Sequence, residues 1–471
     1  MSERRTIGWF VRREYVYTLV VALVALLPRL YVAIAWSREP VWDGHYYHLG
    51  AERLAQGLGY SEDGLVAGHV VWRPWIHYPV GYSFILSLFY RLLGPGLLIA
   101  PIFNAVLGAG VAALVHRLGR HFTTSGRAKL AAALVALNPG LIAYSPLVMT
   151  EVLATALLLG AGLALLAWPG SWRGYLTSGA ILGVAALVRP DSLLALPLLA
   201  LMSQKPYGKS LLRALAAMAM AFVVVLPWTY RNCQKLDGCA LVSTNGGWNL
   251  AIGALTPTGR FTTLKASDGC AVVSGQVQQD DCWRKVGEAK ILENPGRWLA
   301  LVPKKLEQTY NHESYAVEYL HEADPAVWTE PRRVAGRELL TFFHRLLLVV
   351  AALGAVSALH WVKPPPWDDA VQIGLGVVIM MFATFAAARE DHAFYWLPAL
   401  LPVVALLPLP GRPELGPAGR YLMGLLAATT FTHCLLFGED RYHLVETPVL
   451  CLFAAGALRP RKVRLRLSQA P

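Results

Sequence analysis

Residues 15–36 read YVYTLVVALVALLPRLYVAIAW and carry a single charge, Arg29, in a stretch as long as the roughly 20 residues a helix needs to cross a bilayer. Comparable blocks recur at Leu97 to His116 and at Gln372 to Ala388. Across 471 residues, 55% are apolar and only 15% charged, with a mean hydropathy of +0.43, which excludes an ordinary soluble protein. Twelve spans are expected, starting near Tyr15, Leu97, Leu130, Met149, Tyr175, Ser192, Leu211, Leu340, Val371, Phe394, Arg420 and Leu444. No small-residue cleavage site follows the first apolar block, so it reads as a span and not as a cleaved signal peptide. No internal repeat is visible.

Charge assigns the direction of these spans. With the N-terminus cytoplasmic, that side collects Arg4, Arg5, Arg12 and Arg13, the 117–129 loop with Arg117, Arg120, Arg127 and Lys129, and the loops bearing Arg173, Lys205, Lys209, Arg213, Lys363, Arg412 and Arg420. The basic tail from Arg459 to Arg466 falls there too, so both termini are expected in the cytoplasm. The net charge of +12 is then a positive-inside signature and not a nucleic-acid footprint, although a basic tail also suits anionic lipid. The apolar run Val80 to Leu93 is too short to span and would invert the basic loop if it did. It is expected to lie in the outer interface.

Two long outer segments remain, Ser37 to Pro79 and about Arg231 to Glu338. The domain division is accordingly 1–230 (membrane module with the outer loop 37–79), 231–338 (outer domain) and 339–471 (C-terminal membrane helices). Four of six cysteines, Cys233, Cys239, Cys270 and Cys282, fall in the outer domain. An oxidising compartment favours disulfides, with Cys233–Cys239 and Cys270–Cys282 the simplest of three connectivities; a zinc site is the rival, though no CxxC occurs.

Directly after the first span, residues 41–60 read VWDGHYYHLGAERLAQGLGY. Asp43, at the membrane surface beside Trp42 and two tyrosines, is placed to act as a general base, and equally to cap a following helix. His45 and His48, one turn apart, offer with Asp43 ligands for a divalent metal, the one cofactor the sequence suggests; as interfacial histidines they equally serve as hydrogen-bonding groups.

This pattern, an aspartate after the first span, then YY, LAQGLGY and YPVGY (78–82), resembles the bacterial relatives of the protein O-mannosyltransferases and lipid A aminoarabinose transferases of the GT-C fold. FNAVLGAG (103–110), NPGLIAYSPLVMTE (138–151), ALVRPD (186–191), the stretch from LPWTYRN to ALTPTG (226–259), NPGRWLALVPKKL (294–306) and RYHLVETPVL (441–450) extend the resemblance over nearly the whole chain. It implies an all-α polytopic membrane protein with a small mixed α/β outer domain. It also implies an inverting glycosyltransferase in a bacterial inner membrane, taking a hexose or pentose from a polyprenyl-phosphate donor to a lipid, glycan or protein acceptor.

By that resemblance Asp43 is the base. Arg189, Arg231, Arg29, Lys304 and Arg441 are cations for the donor phosphate; each, read alone, is also a candidate for snorkelling to headgroups. Glu151, His45, His48, Tyr47, His77 and Tyr82 are secondary candidates, and Gly246 and Gly247 are expected over the donor site. The YPVGY region lacks the lysine those transferases carry, with His77 or Arg73 the available substitutes, which weakens aminoarabinose as the sugar. The outer domain is too short for the extra sugar-binding module of the eukaryotic enzymes. A transporter or flippase of a lipid-linked substrate, and a non-catalytic scaffold, are the rival functions. A transporter would place charge near mid-membrane, whereas these spans keep polar residues at their outer ends.

Overall fold

The computed structural model describes residues 2–66, 69–121, 123–201, 207–271, 275–356, 367–388, 393–406 and 417–456. Lys205, Lys363, Arg412 and the basic tail lie outside the described residues. The protein is a polytopic helical membrane protein with, among the described residues, one two-stranded sheet. Each expected span start falls on or within a few residues of an apolar helix, from Ser2–Ala35 to Thr447–Ala454. Among the described residues, five helices are long and apolar enough to cross a membrane: Arg13–Ala35, Ile99–Gly119, Gly208–Lys235, Glu330–Val356 and Ala370–Ala387.

Helix Trp172–Val188 packs tightly on Tyr207–Lys235. Gly179 and Gly183 make this approach possible, because a Cβ on Gly179 would sit 2.1 Å from the Ala217 carbonyl oxygen and one on Gly183 2.7 Å from that of Ala221. In lipid, where apolar side chains have no drive to leave their surroundings, such small-residue seams let dispersion and close backbone contact join helices. At the expected cytoplasmic end, the basic 117–129 loop folds back on Glu14, which meets Arg120 at 3.3 Å and Lys129 at 3.1 Å.

The run Val80 to Leu93 forms the short helix Gly81–Leu93. It buries Tyr82, Ser83, Leu86 and Tyr90 and exposes Phe84, Leu88 and Leu92, an apolar outer stripe at i, i+4 and i+8 suited to lipid. Both expected disulfides, Cys233–Cys239 and Cys270–Cys282, are formed.

One expectation changes place. Among the described residues the strands lie in the 37–79 segment, Ser61–Val66 paired antiparallel with His69–Pro74, and none lies in 231–338. Val70, Val71 and Trp72 favour an extended strand, and Glu62 opposite Arg73 adds a cross-strand ion pair. The described part of 231–338 is helical: Gly246–Leu255, Gln276–Glu293, Pro295–Tyr310 and Tyr315–Ala323 precede the long helix Glu330–Val356. Asn294 caps the third of these, its side chain accepting from the Arg297 amide, with Pro295 at the first helical position. A lone bridge, Arg260 with Gly438, ties this domain to the C-terminal segment.

Arg29 also departs from expectation. It is fully buried, and its guanidinium donates to the carbonyl oxygens of Ala25 (2.9 Å), Ala136 (2.7 Å) and Val135 (2.9 Å), so it closes the end of helix Ser125–Leu137 and faces no phosphate pocket. A helix ending in lipid leaves carbonyls without donors, and an arginine supplies several at once. Arg29→Met should therefore lower unfolding stability by about 3 kcal/mol, measured as a fall in thermal midpoint.

Candidate active site

Where the first span ends, the chain turns into helix Trp42–Ala55. Trp42 adopts the left-handed region, φ 49°, which a bulky residue enters at a cost of roughly 1–3 kcal/mol and which clusters at functional sites. Aromatic contacts hold it there, with the Tyr315 and Tyr319 rings 5.6 and 5.9 Å away, while the Tyr319 hydroxyl accepts from the Val41 amide at 3.1 Å. The next side chain, Asp43, makes no helix cap; the N-cap is Val41, without a side-chain bond. Its carboxylate turns instead into a cavity of about 790 Å³.

Asp43 accepts from the Tyr78 hydroxyl at 2.7 Å and is paired with Arg441. Arg441 comes from the turn Asp440–Val445 ahead of the last helix, and also pairs with Glu439 at 2.8 Å and lies over the Tyr315 and Tyr442 rings. A second guanidinium faces the same cavity. Arg189, just past the C-terminal end of helix Trp172–Val188, donates to Glu151 at 3.1 Å and pairs with Asp191 at 3.4 Å. Glu151, the first residue of helix Glu151–Ala167, is fully buried, and its Oε2 has no hydrogen-bond partner. Both arginines flank the ring of Tyr442.

Opposing influences set the charge state of Asp43. Burial pushes its pKa up, but the Arg441 guanidinium and the Tyr78 hydroxyl outweigh burial and hold the carboxyl below its usual range. Burial and the neighbouring Asp43 charge push the Tyr78 phenol far up, so it remains a donor. Burial lowers His77, and Asp43 only partly restores it. One side of the cavity is aromatic: Tyr46 stacks on Trp75 and on Tyr78, with centroids 5.1 and 5.3 Å apart, and His77 packs edgewise on Trp248. The start of helix Gly246–Leu255 also lines the cavity, through Asn245, Gly246 and Asn249. The Asp280 carboxylate caps that helix through the Gly247 and Trp248 amides.

Of the residues singled out in the sequence, Asp43, Tyr47, His77, Glu151, Arg189, Gly246 and Arg441 line this cavity. The others take different places. Arg231 donates to the Tyr60 carbonyl at 2.8 Å and stacks on Trp228, fastening the end of its helix to the first outer segment. Lys304 is exposed, while its neighbour Lys305 is buried and donates to the Cys434 and Leu435 carbonyls. Tyr82 lies below the cavity, donating to Asn104. His45 is exposed and His48 bonds the Tyr90 hydroxyl at 2.6 Å, so the three offered metal ligands do not converge. Tyr46, Trp75, Tyr78, Asp191, Glu439 and Tyr442 are site residues that sequence reading missed. Asp191 and Tyr442 stand inside the quoted motifs ALVRPD and RYHLVETPVL; Glu439 precedes the second by two residues and pairs with its Arg441.

Residues 77–230 match the family model described as dolichyl-phosphate-mannose-protein mannosyltransferase. The matched stretch carries His77, Tyr78, Glu151 and Arg189, and agrees with the resemblance read from the motifs. No curated protein matches the chain. Among solved structures, the oligosaccharyltransferase AglB of Archaeoglobus fulgidus, in complex with an inhibitory peptide and a dolichol-phosphate, aligns at 14% identity and a TM-score of 0.45 over 94% of this chain and 50% of its own. ArnT of Cupriavidus metallidurans bound to undecaprenyl phosphate aligns at 15% identity and a TM-score of 0.35, over 90% of this chain and 77% of its own. The chain thus spans about half the length of AglB.

A carboxyl with a lowered pKa is ionised down to pH values below the ordinary carboxylate range, and its charge is lost as pH falls through that lowered value. The acidic limb of any rate that requires ionised Asp43 should therefore lie below the usual aspartate range. In Arg441→Gln, where the largest lowering influence is gone, it should move to higher pH; a pH–rate profile of both forms checks this.

Proposed function

We propose that the protein is an inverting glycosyltransferase that moves a sugar from a polyprenyl-phosphate donor to an envelope acceptor at the outer face of a bacterial cytoplasmic membrane. The observation that carries this reading is the meeting of Asp43 and Glu151 with Arg189 and Arg441 in one cavity at helix ends.

The chemistry needs a proton acceptor and stabilisation of a leaving phosphate. Asp43 takes the proton from an acceptor hydroxyl as that oxygen attacks the anomeric carbon. The bond from that carbon to the phosphate oxygen breaks on the opposite side, and the lipid phosphate departs with the electron pair, gaining one negative charge. Arg189 and Arg441 stand ready to bind it, since a guanidinium matches two phosphate oxygens at once. Arg441 also ties the two events together. A phosphate that draws Arg441 away removes the main influence lowering the Asp43 pKa, and so makes Asp43 a stronger base once the donor is in place. The Tyr46, Trp75 and Tyr78 wall suits the apolar face of a sugar ring.

Transport would favour a charged group along a mid-membrane path. Arg29, the candidate for that role, is engaged by backbone carbonyls.

A deletion strain complemented with wild type or with Asp43→Asn tests the reading. Mass spectrometry of envelope glycans, glycolipids and glycoproteins should show a sugar mass lost on deletion and restored by wild type only, with Asp43→Asn at least about 100-fold lower. Full restoration by Asp43→Asn at matched expression would remove Asp43 from the mechanism.

A further inference from the structure

The turn Asp440–Val445 that presents Arg441 to the cavity carries a second inward residue, His443, on its other side. His443 Nδ1 lies 2.6 Å from the Thr309 carbonyl oxygen. A carbonyl only accepts, so Nδ1 holds the proton and Nε2 presents a lone pair. His344, from helix Glu330–Val356, is fixed through its other nitrogen. Its Nε2 lies 2.7 Å from the Tyr310 carbonyl oxygen, which leaves the lone pair on Nδ1. The two rings stack with centroids 3.9 Å apart. Glu313 completes the group, with Oε2 3.7 Å from His443 Nε2.

These residues are 0%, 2% and 3% exposed for His443, His344 and Glu313, and none of them lines the Asp43 cavity. His443 Nε2, His344 Nδ1 and Glu313 Oε1 have no hydrogen-bond partner, yet one ligand atom from each residue lies within 4.8 Å of the others. Two lone pairs and a carboxylate oxygen facing one another without a positive partner are costly in a buried place, and native structures satisfy such groups. A proton shared between His443 and Glu313 would call for a separation near 2.7–3.0 Å and would leave His344 Nδ1 unpartnered. A divalent cation serves all three.

We propose that Glu313, His344 and His443 hold a divalent transition metal, zinc by ligand type, at a buried site separate from the Asp43 cavity. Two neutral imidazoles and one carboxylate are a zinc ligand set, and their donor atoms need draw in only to about 3.3 Å, the spacing that follows from zinc–ligand bonds near 2.0 Å. The Thr309 and Tyr310 carbonyls do what outer ligands do at zinc sites, fixing each ring's tautomer and direction. Gly140 leaves room for the carboxylate, since a Cβ there would come within 1.9 Å of Glu313 Oε1. The metal would pin the turn to helix Glu330–Val356 and to the 311–314 segment, two residues from Arg441, and so hold that guanidinium against Asp43.

The test is elemental analysis of the full-length protein, purified without a polyhistidine tag, exposed to zinc and freed of unbound metal by gel filtration. One zinc per chain is expected in wild type and in Asp43→Asn, falling at least tenfold in His443→Asn and in His344→Ala. Substoichiometric zinc in the wild type, or zinc lost in Asp43→Asn and kept in both histidine variants, would overturn the proposal. Should the histidine variants fail to fold, wild type reconstituted with cobalt(II) decides it: visible d–d bands from a nitrogen–oxygen ligand set are expected, and a featureless spectrum contradicts the site.

Discussion

The pairing of Asp43 with Arg441 joins positions 398 residues apart and closes the cavity between the first outer loop and the last outer turn. Much else is arranged to make that contact. Trp42 takes a strained backbone angle immediately before Asp43, Tyr78 supports the carboxylate from the YPVGY segment, and Glu439 and Tyr442 hold Arg441 from behind. A second pairing, Glu151 with Arg189, repeats the motif a short way off, and Tyr442 lies between the two cations.

Without a bound anion each cavity arginine has two acids for company, Asp43 and Glu439 at one and Glu151 and Asp191 at the other. Such a site is rich in negative charge, with its cations already engaged. An anionic donor must compete for them, and what it displaces is the partner of the proposed base. The cost of desolvating these groups is met by their mutual pairing, and breaking either pair leaves a charge in a low-dielectric setting. That tension separates a reactive site from a merely stable one.

Much of this was legible in the sequence. The apolar blocks and the cysteine count carry their information locally, so the helices could be read directly, and the two disulfides formed are the simplest of the three connectivities the count left open. Asp43, Glu151, Arg189 and Arg441 each sit in a motif at a helix end, and their shared cavity follows from the outer ends of the helices meeting. What stayed hidden depends on where side chains point. Lys304 and Lys305 are adjacent, yet one is exposed and the other satisfies two carbonyls of a distant helix. Arg29 looked like a phosphate ligand because two of its three carbonyl partners, Val135 and Ala136, lie more than a hundred residues away. The Glu313, His344 and His443 group has no sequence spacing to announce it, since three separate segments bring it together.

The most direct test of the account is the release of lipid phosphate by purified protein in a defined bilayer, given a polyprenyl-phosphate sugar and an acceptor extract. Wild type is predicted to release polyprenyl phosphate in step with sugar transfer, and Asp43→Asn and Arg189→Gln to do neither while still folding. Equal release by Asp43→Asn, or movement of the intact donor across the bilayer without cleavage, would contradict it.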